Sequence, residues 1–135
     1  MEHIVLDASV VVKWFKKKNE QRTSQADVLL QNLLDGTVRV SIPTLLFTEL
    51  VSIAAIDRSV SEEHWQEALV FLFSLSWHVY PPDQFFVKDT YRLAKGLGLS
   101  AYDATYLAVA KRCSAVVVTE DKELLAKGGN LVRAL

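Results

Sequence analysis

Short apolar runs alternate along the chain with longer segments of helical character. The runs that we interpret as strands are residues 4–6, 38–42, 77–80, 115–119 and 130–132. The segments between them carry apolar residues at the spacing of roughly 3.6 that is typical of helices. This alternation predicts an α/β fold with a mainly parallel central sheet that is covered by helices on both faces. With 135 residues, the chain is expected to form a single domain over residues 1–135.

The most apolar of the predicted helices covers residues 43–56 and contains one charged residue, Glu49. It opens with Pro43, which suits the first turn of a helix, and its composition predicts a buried helix. Helical spacing places Glu49 among leucine and isoleucine side chains. A carboxylate there is costly unless it pairs with a cation or binds a metal ion. Two interpretations are therefore open: an arginine or lysine partner from elsewhere in the fold, or a metal site with further carboxylates.

Three more acidic residues, Asp7, Asp103 and Asp121, stand at the ends of predicted strands or at the start of a helix. Asp7 ends the first strand, Asp121 follows the fourth, and Asp103 lies in the first turn of the helix before that strand. Since functional crevices of parallel sheets lie at the carboxyl ends of the strands, all four acids can project toward one edge. Each also has a local explanation, because Asp7 and Asp121 could cap helices and Asp103 could form a capping box with Ser100.

Four carboxylates without an interleaved cation would repel one another, and they make chemical sense around a hard divalent ion. Mg²⁺ and Mn²⁺ prefer oxygen ligands, so the acidic edge predicts a site for Mg²⁺ (or Mn²⁺). The three histidines and the single cysteine are scattered, which argues against zinc. No glycine-rich phosphate loop, nucleophile elbow or Cys-His pair is visible.

Any affinity for nucleic acid must come from local patches, because the net charge is −1 and the isoelectric point is about 6.3. The basic run of Lys16, Lys17 and Lys18 provides one such patch, and Lys13 and Arg92 are further candidates for contacting RNA phosphates. Alternatively, the lysine run is only a solvated face.

The cellular compartment is predicted from what the sequence lacks. No apolar run approaches the length of a membrane span, and residues 1–3 lead directly into a strand without a signal peptide. The single cysteine, Cys113, excludes an internal disulfide and is compatible with a reducing environment. We therefore expect a cytoplasmic protein without membrane contacts.

The chain resembles PIN-domain ribonucleases, and most closely the VapC-type toxins of prokaryotic toxin–antitoxin pairs. The matching segments are residues 4–14, which contain Asp7, residues 43–50 with Glu49, residues 102–110 with Asp103, and residues 118–122 with Asp121. The resemblance covers the whole chain, and its acids occur in the expected order. The Lys16 to Lys18 run departs from the pattern, since many relatives look more acidic there.

The resemblance implies a PIN-like α/β/α sandwich with the activity of a Mg²⁺- or Mn²⁺-dependent endoribonuclease. Asp7, Glu49, Asp103 and Asp121 would form the catalytic metal site, with Thr119 and Ser9 in support. It further implies a homodimer and a VapB-like antitoxin as partner. Single-stranded or loop RNA is the expected substrate, because a flexible strand can enter a narrow acidic cleft.

Two other functions are compatible with parts of the sequence. A non-enzymatic PIN-like module could bind RNA or a protein partner, although the complete set of four acids argues against it. A phosphatase with an aspartate nucleophile would usually need a second aspartate two residues after Asp7, where this chain has Ser9.

Overall fold

A computed structural model describes all residues of the chain, Met1–Leu135, as five strands and seven α-helices. The strands are β1 (Glu2–Leu6), β2 (Val38–Pro43), β3 (His78–Tyr80), β4 (Val116–Thr119) and β5 (Val132–Ala134). The helices are α1 (Ala8–Val11), α2 (Thr23–Asp35), α3 (Leu45–Ile56), α4 (Glu62–Phe71), α5 (Gln84–Leu97), α6 (Ala101–Cys113) and α7 (Lys122–Lys127). Three short 3₁₀ turns, Val12–Trp14, Leu72–Ser74 and Gly129–Leu131, complete the regular structure.

All neighbouring strands of the sheet are parallel, in the order β3-β2-β1-β4-β5. The first strand of the chain is therefore the central one, and Ile4 pairs with Val40 on one side and Val116 on the other. The consecutive residues Ile4, Val5 and Leu6 are all buried, as expected for a strand that is covered on both faces. The predicted α/β/α architecture with a mainly parallel sheet is confirmed.

Helix α6 lies across the middle of the sheet, where it contacts β2, β1 and β4, and α5 packs against it. Its buried face includes Leu107 and Val109. Only two residues separate the end of the helix at Cys113 from the start of β4 at Val116, so the helix must run back from the carboxyl edge of the sheet to the amino edge. The first turn of α6, with Asp103, therefore starts near the edge at which β1 and β4 end.

The helix predicted over residues 43–56 differs from the structure in its start and in its burial. Pro43 is the last residue of β2, and α3 begins at Leu45. Only Leu46 and Leu50 of α3 are buried, whereas Ile56 is 81% exposed, so the prediction of a buried helix is wrong. The physical reason is that α3 packs against α1 and α4 on one side only and has no layer over its other side.

The last strand is displaced from its predicted position. The sequence pattern indicated a strand at residues 130–132, but β5 is Val132–Ala134 and the residues before it form a 3₁₀ turn. Gly129 in that turn has a φ of +58°, a conformation that glycine adopts without strain.

None of the seven helices combines the length and the apolar character that a membrane span requires.

Candidate active site

Asp7 is the most buried of the four acids, with 5% of its surface exposed. It occupies the N-cap position of α1 in extended backbone, but its side chain makes no capping hydrogen bond, so the helix-cap explanation is wrong for this carboxylate. Instead, Oδ1 accepts a hydrogen bond of 2.6 Å from Ser9 Oγ, and Oδ2 accepts one from Thr119 Oγ1. Asp7 is thus held as an acceptor by two hydroxyls.

The directions of these two hydrogen bonds are fixed by the backbone at the end of β4. Ser9 Oγ accepts the N–H of Glu120 at 2.9 Å, and Thr119 Oγ1 accepts the N–H of Asp121 at 2.9 Å. Since each hydroxyl has one proton, and since it accepts from the backbone, that proton is directed to Asp7. The ends of β1 and β4 are therefore joined by hydrogen bonds through the side chains of Asp7, Ser9 and Thr119.

Glu49 has no arginine or lysine partner, so the ion-pair explanation of this residue is wrong. It lies half-buried on α3, and its Oε1 accepts a hydrogen bond from the hydroxyl of Tyr106 on α6. Tyr106 is 2% exposed and was not predicted as a site residue. Helical spacing could have indicated Tyr106, because it lies three residues after Asp103 and therefore on the same face of α6.

Asp103 and Asp121 differ in how far their carboxylates are engaged. Ser100 Oγ accepts the N–H of Asp103 at 3.1 Å, which is half of a capping box, but the Asp103 carboxylate has no hydrogen-bond or salt-bridge partner in the structure. Asp121 does cap α7, as one interpretation predicted, since its Oδ1 accepts the N–H of Leu124 at 3.0 Å. Asp103 is therefore the acid whose oxygens are most available to a ligand.

Burial and mutual repulsion raise the pKa values of three of the four acids. Burial raises the pKa of Asp7 to about 6, against the two hydroxyl bonds and with added repulsion from Asp121 and Glu49. Burial also raises the pKa of Glu49, and the charges of Asp103 and Asp121 add to this effect. The pKa of Asp103 is raised by burial and by Asp121. The four acids therefore lie close enough to interact electrostatically, with no cation between them.

The side chains do not form a finished coordination shell. No three histidine, cysteine, aspartate or glutamate side chains lie close enough together to hold one metal ion. Hydrogen bonds from the protein fix the carboxylates of Asp7, Glu49 and Asp121 in separate orientations. The donor set nevertheless fits Mg²⁺ or Mn²⁺ chemically, because it consists of hard carboxylate oxygens whose repulsion a divalent cation would offset.

Two of the lysines predicted to contact phosphate are engaged within the protein. Lys13 is 4% exposed, and its Nζ lies 3.1 Å from Oε1 of Glu20. Lys17 Nζ donates to Asp27 Oδ1 at 2.7 Å and also to the carbonyl oxygen of Lys13. The prediction that Lys13 contacts RNA is wrong, because a buried and paired ammonium cannot reach a phosphate.

The other three predicted cations are less constrained. Lys16 Nζ lies 3.5 Å from Asp57 Oδ1, in a pair that is largely buried on the carboxylate side. Lys18 is exposed and makes no salt bridge, and Arg92 is exposed with Asp89 at 3.9 Å. Contacts of Lys18 and Arg92 with RNA phosphates therefore stay a prediction, whereas Lys16 and Lys17 are paired with Asp57 and Asp27.

Replacing Glu49 by glutamine is expected to raise the melting temperature of the protein in EDTA by a few degrees. The glutamine oxygen can still accept the Tyr106 hydroxyl, while the substitution removes a charge that Asp103 and Asp121 repel. The gain should be smaller in Mn²⁺, because a bound cation stabilises the wild-type site. Thermal unfolding followed by circular dichroism measures both differences, with Glu62→Gln on the exposed start of α4 as control. A melting temperature well below that of wild type in EDTA would contradict the repulsion.

Comparison with known proteins shows which family the chain resembles. The family model of the PIN domain matches residues 4–130. No curated protein gives a significant match to the sequence.

Solved structures share the fold over nearly the whole chain. PAE2754 from Pyrobaculum aerophilum is 25% identical, with 98% of this chain and 89% of that chain covered and a TM-score of 0.64. A toxin–antitoxin complex from Klebsiella pneumoniae is 17% identical, with coverage of 96% and 95% and a TM-score of 0.70. VapBC-1 from nontypeable Haemophilus influenzae is 18% identical, with coverage of 98% and 97% and a TM-score of 0.68.

Proposed function

Since this chain belongs to the PIN-domain family, we propose that it is a Mg²⁺- or Mn²⁺-dependent endoribonuclease and the VapC-type toxin of a toxin–antitoxin pair. The observation that carries the proposal is the group of four acids from separate elements with no cation between them, in which burial and mutual repulsion raise the pKa values of Asp7, Glu49 and Asp103. Such an arrangement opposes folding unless a bound cation uses it. We also place the protein in the cytoplasm.

We assign Asp7, Glu49, Asp103 and Asp121 as the residues that would hold the metal ion. No three of them lie close enough in the structure to do so, so their side chains would have to turn toward a common point. When bound, a divalent ion supplies Lewis-acid polarisation of a phosphodiester and lowers the pKa of a coordinated water. Asp103 or Asp121 then orients the attacking water and accepts its proton, as general bases do. Asp103 is well suited, because its carboxylate makes no competing bond to the protein. The water oxygen would form the new bond to phosphorus while the bond to the leaving ribose oxygen breaks on the opposite side, and that oxygen would take up a proton from solvent.

Ser9, Thr119 and Tyr106 position the acids in this mechanism. Their hydroxyl protons point at Asp7 and Glu49, which keeps those carboxylates in one orientation. These hydrogen bonds also favour the ionised carboxylates, which are the forms that bind a cation.

We propose single-stranded or loop RNA as the substrate. A flexible strand can present one phosphodiester to a narrow acidic cleft, which a rigid A-form duplex cannot do. The acids repel phosphate, so exposed cations must hold the flanking nucleotides, and Lys18 and Arg92 are the predicted residues that remain accessible.

We propose a VapB-like antitoxin as partner and a homodimer as the functional assembly. The antitoxin is suggested by the related folds from toxin–antitoxin complexes. The dimer is supported by an apolar groove of about 600 Å³ between α3, α5 and α6, whose lining includes Leu45, Phe86 and Tyr102. Nearby, Phe85 is 68% exposed and Tyr91 is 62% exposed, and a second copy would remove these rings from water.

Cleavage of a labelled single-stranded RNA tests the proposed activity. We expect cleavage in Mg²⁺ or Mn²⁺, none in EDTA, and recovery when excess Mn²⁺ is added back, because the carboxylates cannot activate water without the cation. Equal cleavage in EDTA would reveal a contaminating ribonuclease and contradict the proposal. Binding of RNA without cleavage in either metal would favour the non-enzymatic PIN-like module.

A further inference from the structure

A polar cavity of about 470 Å³ lies over β1, β2 and β3. On β1 it is lined by His3, which is closer than Asp7 to the amino end of the strand. We call it the basic pocket and define it by His3, Arg39, Ser41 and His78. The sheet register places His3 beside Arg39 and Ser41 beside His78, so the four side chains form a contiguous patch on one face of the sheet. The patch is thus set by the backbone and does not depend on a flexible loop.

The basic pocket contains cationic groups and no acid to balance them. Its remaining lining residues are Val40, Ser76, Trp77 and Tyr80, none of which carries a carboxylate. Arg39 is exposed and makes no salt bridge, in contrast to Arg22, Arg112 and Arg133, which pair with acids. Burial lowers the pKa of His3, and the positive charges of Arg39 and His78 lower it further. Protonation of His3 beside Arg39 is therefore disfavoured, and the charge of Arg39 is not balanced by any acid in the pocket.

Hydrogen-bond donors from three strands face the pocket. Ser41 is 1% exposed, and its Oγ lies 2.8 Å from Nε2 of His3, so both side chains are held in place. His78 rests against the ring of Tyr80, with 4.3 Å between the ring centroids. Each imidazole carries at least one N–H donor, and the Arg39 guanidinium carries five. A guanidinium directs two of its N–H groups at one anion, so Arg39 and the two imidazoles can supply about four donors, which suits the oxygens of a tetrahedral oxyanion.

From this geometry we propose that the basic pocket binds a phosphate group. The guanidinium of an arginine binds two phosphate oxygens in a bidentate manner. The bound anion would supply the negative charge that balances Arg39. The cavity volume lies within the range of small-molecule sites, roughly 300–1,000 Å³, so a nucleoside could be accommodated beside the phosphate. The source of the phosphate is therefore either inorganic phosphate or a nucleotide.

The basic pocket is separate from the acidic site. His3 and Asp7 are four residues apart along β1 and the residue that follows it, which corresponds to about 13 Å at the rise of a strand. Occupancy of the pocket therefore does not require the proposed ribonuclease activity, and each can fail without the other.

Nuclear magnetic resonance titration of the ¹⁵N-labelled full chain tests the proposal at constant pH and ionic strength. The probes are inorganic phosphate, adenosine 5′-monophosphate and adenosine. We expect both phosphate-containing probes to shift the signals of His3, Ser41 and His78, and adenosine to shift none of them. Tighter binding of the nucleotide would identify a nucleotide as the source, whereas tighter binding of inorganic phosphate would identify the free anion.

Two arginine variants decide whether the pocket is responsible. Arg39→Gln should weaken phosphate binding at least tenfold, because the two charge-assisted hydrogen bonds of the guanidinium are lost. Arg58→Gln is the matched control, since Arg58 is also exposed and without a salt bridge but lies outside the pocket, and it should bind as wild type does. The proposal is overturned if Arg39→Gln binds phosphate normally, if both variants lose affinity equally, or if adenosine shifts the same signals.

Discussion

Replacement of Asp103 by asparagine should lower the rate of RNA cleavage by about a thousandfold and leave the protein folded. The Asp103 carboxylate has no protein partner, so its role is expected to lie in binding the ion or the attacking water. Asparagine has nearly the same shape but cannot accept a proton from water. The N–H of residue 103, which Ser100 caps, is kept in the variant.

The measurement is the single-turnover cleavage rate in saturating Mn²⁺, with thermal unfolding of both proteins in parallel. Asp35→Asn is the control, because Asp35 is an exposed acid at the end of α2 that accepts only a bond from Gln31. It should cleave at the wild-type rate. If Asp103→Asn retains more than about a tenth of the activity, Asp103 is not the catalytic base, and Asp121 becomes the candidate.

The free energy of unfolding should decrease by about 2 kcal/mol between pH 4 and pH 6 through the ionisation of Asp7 alone. Its pKa rises from 3.8 in the unfolded chain to about 6 in the folded protein, mainly because the carboxyl group is buried. The folded state therefore binds the proton more tightly, and the stabilisation is complete below pH 3.8. It is lost as the pH rises to about 6, where Asp7 ionises in the folded protein too.

Urea unfolding of wild type and Asp7→Asn across pH 4–7, without added divalent ion, isolates this contribution. The difference between the two proteins should change by about 2 kcal/mol over the window, because asparagine does not titrate. Glu49 and Asp103 also have raised pKa values and leave a smaller slope of the same sign in both proteins. Asp57 and Asp83 have lowered pKa values, so their contributions fall below the window. Parallel curves would show that Asp7 is not desolvated.

The elements that could be predicted from sequence are those whose signal is local. Alternating strands and helices identified the parallel sheet, and Asp121 followed by a short helical segment predicted the cap of α7, which has the expected bounds of Lys122–Lys127. The order of the acids along the chain placed them at one edge of the sheet, because parallel strands end together. The catalytic and metal-binding roles of these acids stay predictions until they are measured.

The features that could not be predicted depend on contacts between distant residues. The partner of Glu49 comes from Tyr106, 57 positions later, and the salt bridge of Lys13 depends on how the chain turns toward Glu20. The burial of α3 was overestimated because apolar composition shows that a surface avoids water and does not show what covers it. Side-chain pairing and packing against one face only are properties of the folded molecule.

The hydrogen bonds between Asp7, Ser9 and Thr119 also have a consequence for synthesis on the ribosome. The central strand β1 leaves the ribosome early, but one of its neighbours in the sheet, β4, follows more than 100 residues later. Ser9 and Thr119 are 110 positions apart, so a nascent chain without residue 119 cannot hold the Asp7 carboxylate in its final orientation. Contacts of such high sequence separation form late and slowly. The acidic site can therefore form only after translation of the domain is almost complete.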